Sequence, residues 1–344
     1  MVALACSFCF SAVTATSLFG ATARTLHAMR AKANTHSVVY AALAGNVAIA
    51  ATKFVAAWFT GSSAMLSEGV HSLVDTINEL LLLYGLHRAG KHPDRNHPLG
   101  YGRELYFWSF IVALLVFALG AGVSLYEGIA HLLAPAPMQR PFINYIVLGL
   151  SFVFEAASWH VAMKEFRAAK GELGYFEAFR SSKDPTTFTV LFEDTAALVG
   201  LLVAFFGVLG AQLLQMPQLD GIASISIAVV LAVSSLFLAR ETKALLIGES
   251  ALPHVRASIL RIAGADPAIR KANGVLTVQM GPEQVVAALS AEFEDRLTTP
   301  EIETCVNRIE AAIKAAHPEI TTLFVKPQTP ETWKARRDAI GTNI

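Results

Sequence analysis

The segment Ser62–Leu86 most constrains what this chain can fold into. It is apolar over a length that can cross a bilayer, yet it carries Glu68, His71, Asp75 and Glu79. These four residues follow one another at steps of three, four and four, so on an α-helix they share one face. A charged side chain at the bilayer centre costs about 3 kcal/mol, whereas each leucine returns only about 0.5 kcal/mol. This face therefore needs water, polar partners or a ligand.

The pair His71 and Asp75 has the spacing of a metal site, because residues four apart on a helix are neighbours on one face. An imidazole and a carboxylate placed in this way can share a cation of the size of zinc, which accepts nitrogen and oxygen ligands at about 2.0–2.2 Å. Inside a membrane span, the pair favours metal or proton transport. The alternative interpretation is a pore-side stripe of hydrogen-bonded polar groups without a metal.

The composition is that of a membrane protein with several spans. Hydrophobic residues make up 54% of the 344 residues and charged residues only 16%, with a formal net charge of +0. Three cysteines provide no disulfide framework, and a CxxC spacing at Cys6 and Cys9 has no partner pair nearby. In the C-terminal part, lysines and arginines are mixed with acids, which argues against a nucleic-acid-binding surface.

Six apolar segments are predicted to cross the membrane, which places both chain ends on one side. Lysine and arginine are concentrated after the second and fourth segments, so the positive-inside rule predicts that both termini face the cytoplasm or an equivalent compartment. The predicted division is an N-terminal extension of unknown role (1–36), a six-span domain (37–240), a cytosolic domain (241–328) and a tail (329–344). The predicted spans are Val38–Phe59, Ser62–Leu86, Leu105–Leu133, Ile143–Met163, Thr186–Leu214 and Gly221–Leu238.

The residues after Arg240 have the pattern of a small soluble α+β domain. A helix starting at Thr299 is predicted from an N-cap residue, a proline at the first helical position and an acid in the first turn. The order α-β-β-α-β suits a sheet with helices on one face, and so small a core favours pairing with a second copy. The other predicted elements are the helix Pro253–Ala263 and the strands Gly274–Met280, Gln284–Phe293 and Ile320–Lys326.

Several short motifs between residues 37 and 328 together resemble the cation diffusion facilitator, or cation efflux, family. The stretch GYGRELYFWSF is similar to the branch that includes mitochondrial-type zinc transporters and their bacterial relatives. The motifs are Gly61-Ser62-Ser63-Ala64 with Leu66-Ser67-Glu68, His71-Ser72-Leu73-Val74-Asp75, His97-Pro98-Leu99-Gly100-Tyr101-Gly102, Asp220-Gly221-Ile222-Ala223-Ser224 and Leu246-Ile247-Gly248-Glu249-Ser250.

The resemblance implies a six-helix transmembrane bundle with a cytosolic ferredoxin-like domain, assembled as a homodimer. It also implies proton-coupled export of a divalent cation by alternating access, with no organic cofactor. Zinc is the expected ion, with manganese, iron and cobalt as alternatives. The membrane would be a bacterial inner membrane or an organelle membrane.

The family's transport site pairs a motif of the form H/D-x-x-x-D in the second span with another in the fifth. Here His71 and Asp75 match the first, and Asp194 matches the second, but Val190 stands where the fourth ligand would be. Glu193, which directly precedes Asp194, points about 100° away from it around the helix, so it is not a direct replacement for the missing ligand. The fourth ligand is left open between Glu193 after local unwinding, Glu68 and water. Together with Glu155, which has an intramembrane position, Glu68 and Glu193 are candidates for a further metal or proton-relay role.

Outside this set, six residues receive structural or negative predictions. Glu79 is predicted to pair with another helix, with Lys53 as the named partner, and Asn46 to make a helix-packing hydrogen bond. Asp94 and His97 occur in the loop where some relatives build an accessory site, but Tyr101 occupies its centre. Neither this loop nor the C-terminal histidines, His254 and His317, are expected to bind zinc tightly.

Two alternative functions, from other classes of protein, are also compatible with the sequence. An intramembrane hydrolase would use His71, Asp75 and a metal-bound water, and it would need an open coordination position and a substrate cleft. A non-transporting, metal-sensing membrane scaffold would use the soluble domain to contact partners and would bind metal without flux.

Overall fold

The computed structural model describes residues 43, 46–135, 140–171, 174–175, 178–179 and 182–340. The predicted extension 1–36 and its CxxC spacing lie outside these residues. The first part of the chain forms long helices, and the third has a π-helical stretch at Val116–Ala121. They are α1 (46–60), α2 (Ser63–Ala89), α3 (Arg103–Leu133), α4 (Pro141–Lys170), α5 (Pro185–Leu213) and α6 (Gln218–Ile247).

Four of the described helices, α3 to α6, are long and apolar enough to cross a membrane, as expected of a membrane protein. α2 is equally long, but the polar residues on its face lower its hydropathy. The number of six spans therefore stays a prediction.

The start of α2 is fixed by a side chain from α6. Ser62 is the N-cap residue, and its hydroxyl accepts a hydrogen bond from the Met65 N–H at 3.1 Å. The buried carboxylate of Asp220 accepts hydrogen bonds from the Ser62 hydroxyl at 2.7 Å and from the Ser63 N–H at 2.6 Å. A negative group at this end also complements the helix dipole. Two of the motifs that carry the family resemblance therefore meet in space.

Apolar side chains fill the space between these helices. Met65 of α2, Leu201 of α5 and Ile227 of α6 are among the buried residues of one continuous cluster. The side chains that face outward are also apolar and large, as in Trp58 and Phe206. Apolar residues on both sides of a helix are typical of membrane spans.

The C-terminal part is a small α/β domain with one three-stranded sheet. β1 pairs antiparallel with β2, and β2 pairs parallel with β3, so the strand order is β1-β2-β3. The predicted order α-β-β-α-β is confirmed, and α7 and α8 contribute to the core of the domain. The elements are α7 (Pro253–Gly264), β1 (Ile269–Gly281), β2 (Gln284–Phe293), α8 (Thr299–Ala316), β3 (Ile320–Pro327) and α9 (Pro330–Ile340).

The structure differs from the predicted boundaries in several details. α4 continues to Lys170 and α6 to Ile247, past the predicted ends of their spans at Met163 and Leu238, because polar residues can leave the membrane without breaking helical hydrogen bonds. The N-cap of α8 is Thr298 rather than Thr299. The Thr298 backbone N–H donates a hydrogen bond to the Glu301 carboxylate at 2.7 Å. The predicted tail contains a helix, α9, whose Trp333 lies against β1.

Candidate functional site

A cavity of about 520 Å³ lies between α1, α2, α4 and α5. Polar groups line it from all four helices, and none of the described residues that line it is a lysine or an arginine. A low-dielectric space with this excess of acids attracts cations. Its carboxylates are Asp75, Glu79, Glu155, Glu193 and Asp194.

His71 and Asp75 form a close pair, of which Asp75 lines this cavity and His71 does not. The His71 Nδ1 atom lies 3.4 Å from the Asp75 Oδ1 atom, and Asp75 lines the cavity. His71 is only 1% exposed, and within the described part of the chain both of its ring nitrogens lack a hydrogen-bond partner. Buried polar atoms are normally paired, so these unsatisfied nitrogens indicate a place for a ligand or a proton.

Asp194 of α5 lines the same cavity. Its Oδ2 atom accepts a hydrogen bond from the Ser158 hydroxyl of α4 at 2.9 Å. Val190, one turn earlier, lines the cavity too, and its side chain has no ligand atom. Glu193 is 8% exposed, and its Oε1 atom accepts a hydrogen bond from the Asn78 amide of α2 at 2.8 Å.

Glu68 is held in a buried ion pair beside the cavity. The Lys53 ammonium of α1 lies 3.1 Å from the Glu68 Oε2 atom and donates to the Ser72 hydroxyl at 2.8 Å. Both charged side chains are 0% exposed. Ser72 lines the cavity, so this cation is separated from it by one hydroxyl group.

The predicted pairing of Glu79 with Lys53 was wrong, because Lys53 is taken by Glu68. Glu79 pairs instead with Asn46, whose amide donates to its Oε1 atom at 2.7 Å. The prediction that Asn46 makes a helix-packing hydrogen bond is therefore confirmed, as is the pairing of Glu79 with another helix.

Sequence reasoning missed Asn78 and Ser158, which hold two of the acids. Asn78 follows Asp75 by three residues, so the periodicity that marked the acidic face of α2 also includes it. Ser158 follows Glu155 by three residues on α4 and had the same signal. His160, the other polar residue noted in this span, is exposed.

The arrangement supplies donors for a divalent cation but not a closed coordination shell. Among the described residues, no three histidine, cysteine or acidic side chains stand close enough to hold one metal ion. His71 and Asp75 are brought together, while Asp194 faces them from another helix of the same cavity. An ion that bridges these residues would have to draw the helices closer.

The loop between α2 and α3 uses its acid for internal hydrogen bonds. The Tyr101 hydroxyl donates to Asp94 Oδ2 at 2.6 Å, and the His97 N–H donates to Asp94 Oδ1 at 2.7 Å. These bonds, with that from Tyr101 the larger cause, lower the pKa of Asp94 to about 2. In the C-terminal domain, the His317 Nδ1 atom lies 3.2 Å from Glu319 Oε1, and His254 lines a second cavity, which also borders Glu319.

A family model described as the cation efflux transmembrane domain matches residues 39–247, which hold every acid of the cavity. The chain belongs to the cation efflux family. The resemblance found in the sequence motifs is thereby confirmed.

Curated members of the cation efflux family that are similar to this chain include mitochondrial and bacterial proteins. The mitochondrial proton-coupled zinc antiporter SLC30A9 of Xenopus laevis is 36% identical over 247 residues, which are 71% of this chain and 44% of that protein. Its human counterpart is 33% identical over 250 residues, 72% of this chain and again 44% of the relative. The cation-efflux pump FieF of Cronobacter sakazakii is 25% identical over 294 residues, 81% of this chain and 91% of the pump.

The chain thus matches less than half the length of the zinc antiporters but nearly the full length of the bacterial pump. These relatives are named as antiporters and efflux pumps, and not as enzymes, in agreement with the expectation of a transporter.

Proposed function

We propose that this cation efflux protein exports a divalent metal cation in exchange for protons, with zinc as the expected ion. The observation that carries the proposal is the pair of the buried His71 and Asp75 beside an acidic cavity between membrane helices. Neither ring nitrogen of His71 has a hydrogen-bond partner among the described residues. The relatives named as proton-coupled zinc antiporters support zinc, and those named as cation-efflux pumps leave manganese, iron and cobalt as alternatives.

In this proposal, His71, Asp75 and Asp194 bind the ion. One imidazole and two carboxylates suit zinc but do not complete a tetrahedral shell. Because Val190 cannot ligate, the remaining position belongs to another acid of the site or to water. Glu68 and Glu193 are both engaged in hydrogen bonds from neighbouring helices, at 3.1 Å and 2.8 Å.

Proton exchange follows from the chemistry of the ligands. Histidine and carboxylates bind a metal only when deprotonated, so loading the ion releases protons and a low pH on the far side favours unloading. Histidine, with an ordinary pKa of about 6.5, exchanges a proton for a metal near neutral pH. Alternating access of the cavity to the two sides would convert this exchange into transport.

We further propose that the protein works as a homodimer in a bacterial inner or organelle membrane, with six spans and both termini on the cytoplasmic side. The positions of the lysines and arginines support this orientation. The small size of the soluble core, built on three strands, supports pairing.

The test is uptake of metal into proteoliposomes. Purified protein would be offered zinc, manganese, cobalt and iron in turn, each with and without a pH gradient. Asp75→Ala would be compared with the parent and with Asp295→Ala, whose side chain is 95% exposed on the soluble domain. We expect gradient-dependent uptake by the parent and by Asp295→Ala, and none by Asp75→Ala.

Other outcomes would contradict the proposal in distinct ways. Uptake by Asp75→Ala at the parental rate would show that the site is elsewhere. Metal binding at equilibrium without uptake by the parent would indicate a metal-sensing scaffold. Cleavage of peptide or lipid by the membrane part would indicate a hydrolase.

A further inference from the structure

We propose that Glu155 on α4 is a ligand of the transported ion, supplying the carboxylate that Val190 cannot provide. This inference rests on the proposed function, because it assigns one more residue to the same site. It places ligands on three helices, α2, α4 and α5, rather than two.

The first support is the face on which Glu155 lies. Six residues of α4 line the cavity, and they follow a helical repeat, so one face of α4 borders it. Glu155 is the ionisable residue of that face. The six residues are Val147, Leu150, Ser151, Phe154, Glu155 and Ser158.

The second support is the hydrogen bond that fixes α4 against Asp194. Ser158 donates to the Asp194 carboxylate at 2.9 Å, and Glu155 is three residues before Ser158. Residues three apart on a helix have their Cβ atoms about 5–6 Å apart, so Glu155 lies one helical turn from the Asp194 contact. Asp75 and Asp194 are both within electrostatic reach of the Glu155 carboxylate.

The third support comes from the hydrogen bonds of the other acids. Glu155 lines the cavity, and it receives no hydrogen bond from the residues that the structure describes. The remaining acids beside the cavity are each held by a neighbouring helix: Glu68 by Lys53 at 3.1 Å, Glu193 by Asn78 at 2.8 Å, and Glu79 by Asn46 at 2.7 Å. Glu155 can therefore turn to the ion without giving up a hydrogen bond to a described residue.

An independent observation marks this space as a ligand site rather than a mere cluster of acids. His71 is 99% buried, and in the described part of the protein neither ring nitrogen has a hydrogen-bond partner. Its Nδ1 atom points to Asp75, at 3.4 Å from Oδ1, and Asp75 borders the cavity with Glu155. A divalent cation would satisfy the imidazole and compensate the acids together.

The proposed set of one imidazole and three carboxylates has a consequence for selectivity. Oxygen ligands suit manganese, whereas imidazole favours zinc. Replacing Val190 by histidine would supply a second imidazole at the position one turn before Asp194. It should make Glu155 dispensable and raise the preference for zinc over manganese.

The experiment measures equilibrium binding and transport with the full-length protein in nanodiscs and proteoliposomes. The variants are Glu155→Gln, Val190→His and their combination, each probed with zinc alone and manganese alone. Glu79→Gln is the matched control, because it removes one carboxylate from the same cavity. Thermal unfolding of each variant establishes that it is folded.

We expect Glu155→Gln to weaken zinc binding at least about 100-fold, since changes even to the partners of metal ligands cost 10–100-fold. The combination with Val190→His should recover binding to within about tenfold of the parent. The fold-loss of zinc affinity in Glu79→Gln should be smaller than that in Glu155→Gln by a factor of at least about ten. X-ray absorption at the zinc edge should show one imidazole in the parent and two in the double variant.

Two results would overturn the inference. Glu155→Gln could bind zinc as the parent does, or Glu79→Gln could lose as much affinity as Glu155→Gln. Asp75→Ala, measured in parallel, separates the two proposals. If it abolishes uptake while Glu155→Gln does not affect binding, the proposed function stands and only the role of Glu155 fails.

Discussion

The buried ion pair between Lys53 and Glu68 gives the sharpest prediction on stability. Lys53 Nζ lies 3.1 Å from Glu68 Oε2 and 2.8 Å from the Ser72 hydroxyl, and both charged side chains are 0% exposed. Changing Lys53 to methionine keeps most of the side-chain volume and removes the cation. The Glu68 carboxylate would then be buried without a counter-charge, and no other group would take the place of the ammonium.

The size of the effect is set by the least costly way to bury the carboxyl group, which is as the neutral acid. For a carboxyl group of ordinary pKa, about 4.3, taking up a proton at pH 7 costs about 3.7 kcal/mol. Breaking a buried ion pair by removing one partner costs about 3–5 kcal/mol in other proteins. We therefore expect Lys53→Met to lower the free energy of unfolding by about 3–4 kcal/mol at pH 7.

The pH dependence of this loss has a definite sign. The folded variant would keep a proton on Glu68 that the unfolded chain does not hold at pH 7, so the variant gains relative stability as the pH falls. Between pH 7 and pH 5.5 the loss should shrink by about 2 kcal/mol, at about 1.4 kcal/mol for each pH unit.

The assay is reversible unfolding in mixed micelles, followed by far-UV circular dichroism at both pH values. The double variant Lys53→Met with Glu68→Leu should recover most of the stability, because apolar replacements of buried pairs are often neutral. Lys164→Met, an exposed lysine on α4, is the control and should change stability by less than about 0.5 kcal/mol. A double variant as unstable as Lys53→Met, or a loss that does not depend on pH, would refute the reasoning.

Three further predictions concern other contacts. Asp220→Asn should cost about 2 kcal/mol, because the carboxylate accepts hydrogen bonds from Ser63 and its neighbour, and amide hydrogen exchange should speed up in the first turn of α2. Gly128→Ala should cost about 1–3 kcal/mol in the same unfolding assay, since a Cβ atom there would meet the backbone of α6 at 2.8–2.9 Å. The hydrogen bonds from Arg308 hold the pKa of Asp266 at about 2, so the soluble domain should lose stability as the pH falls from about 4 toward 2. In Arg308→Gln, the free energy of unfolding above pH 4 should be lower by about 1 kcal/mol, and most of this pH dependence should disappear. A series of thermal unfolding measurements at different pH values tests this.

Much of the fold could be predicted because each rule uses only neighbours in the sequence. The apolar runs placed the described helices to within a few residues, except at the C-terminal ends of α4 and α6, and the soluble elements followed from turn and cap residues. The end of α6 was missed because hydropathy falls at Arg240, whereas the helix ends at Ile247, directly before Gly248, which has a φ of 113°. A glycine directly after an apolar helix is a termination signal, and it was available in the sequence.

The partners of the buried charges could not be predicted in this way. The periodicity of α2 shows that Glu68 and Glu79 share a face, but it does not tell which helix offers each of them a donor. Lys53 and Asn46 are two turns apart on α1, and either could reach either acid by sequence spacing alone. The choice is made by the height at which α1 packs against α2, which is a tertiary property.

Most hydrogen bonds between the described membrane helices fall within two groups of helices. The bonds from Asn78 of α2 to Glu193 of α5, at 2.8 Å, and from Thr60 of α1 to Asn144 of α4, at 2.9 Å, connect the groups. Asp220 of α6 holds the start of α2, and Lys53 ties the middle of α2 to α1. On the other side, Ser158 and its neighbour on α4 donate to Asp194 and its neighbour on α5, at 2.9 Å and 3.0 Å, so that α4 and α5 are joined at two successive residues. The ligands proposed on α2 belong to the first group, and those proposed on α4 and α5 belong to the second. An ion bound by both would draw the two groups together, so the same carboxylates that select the cation would link its binding to the movement that transport requires.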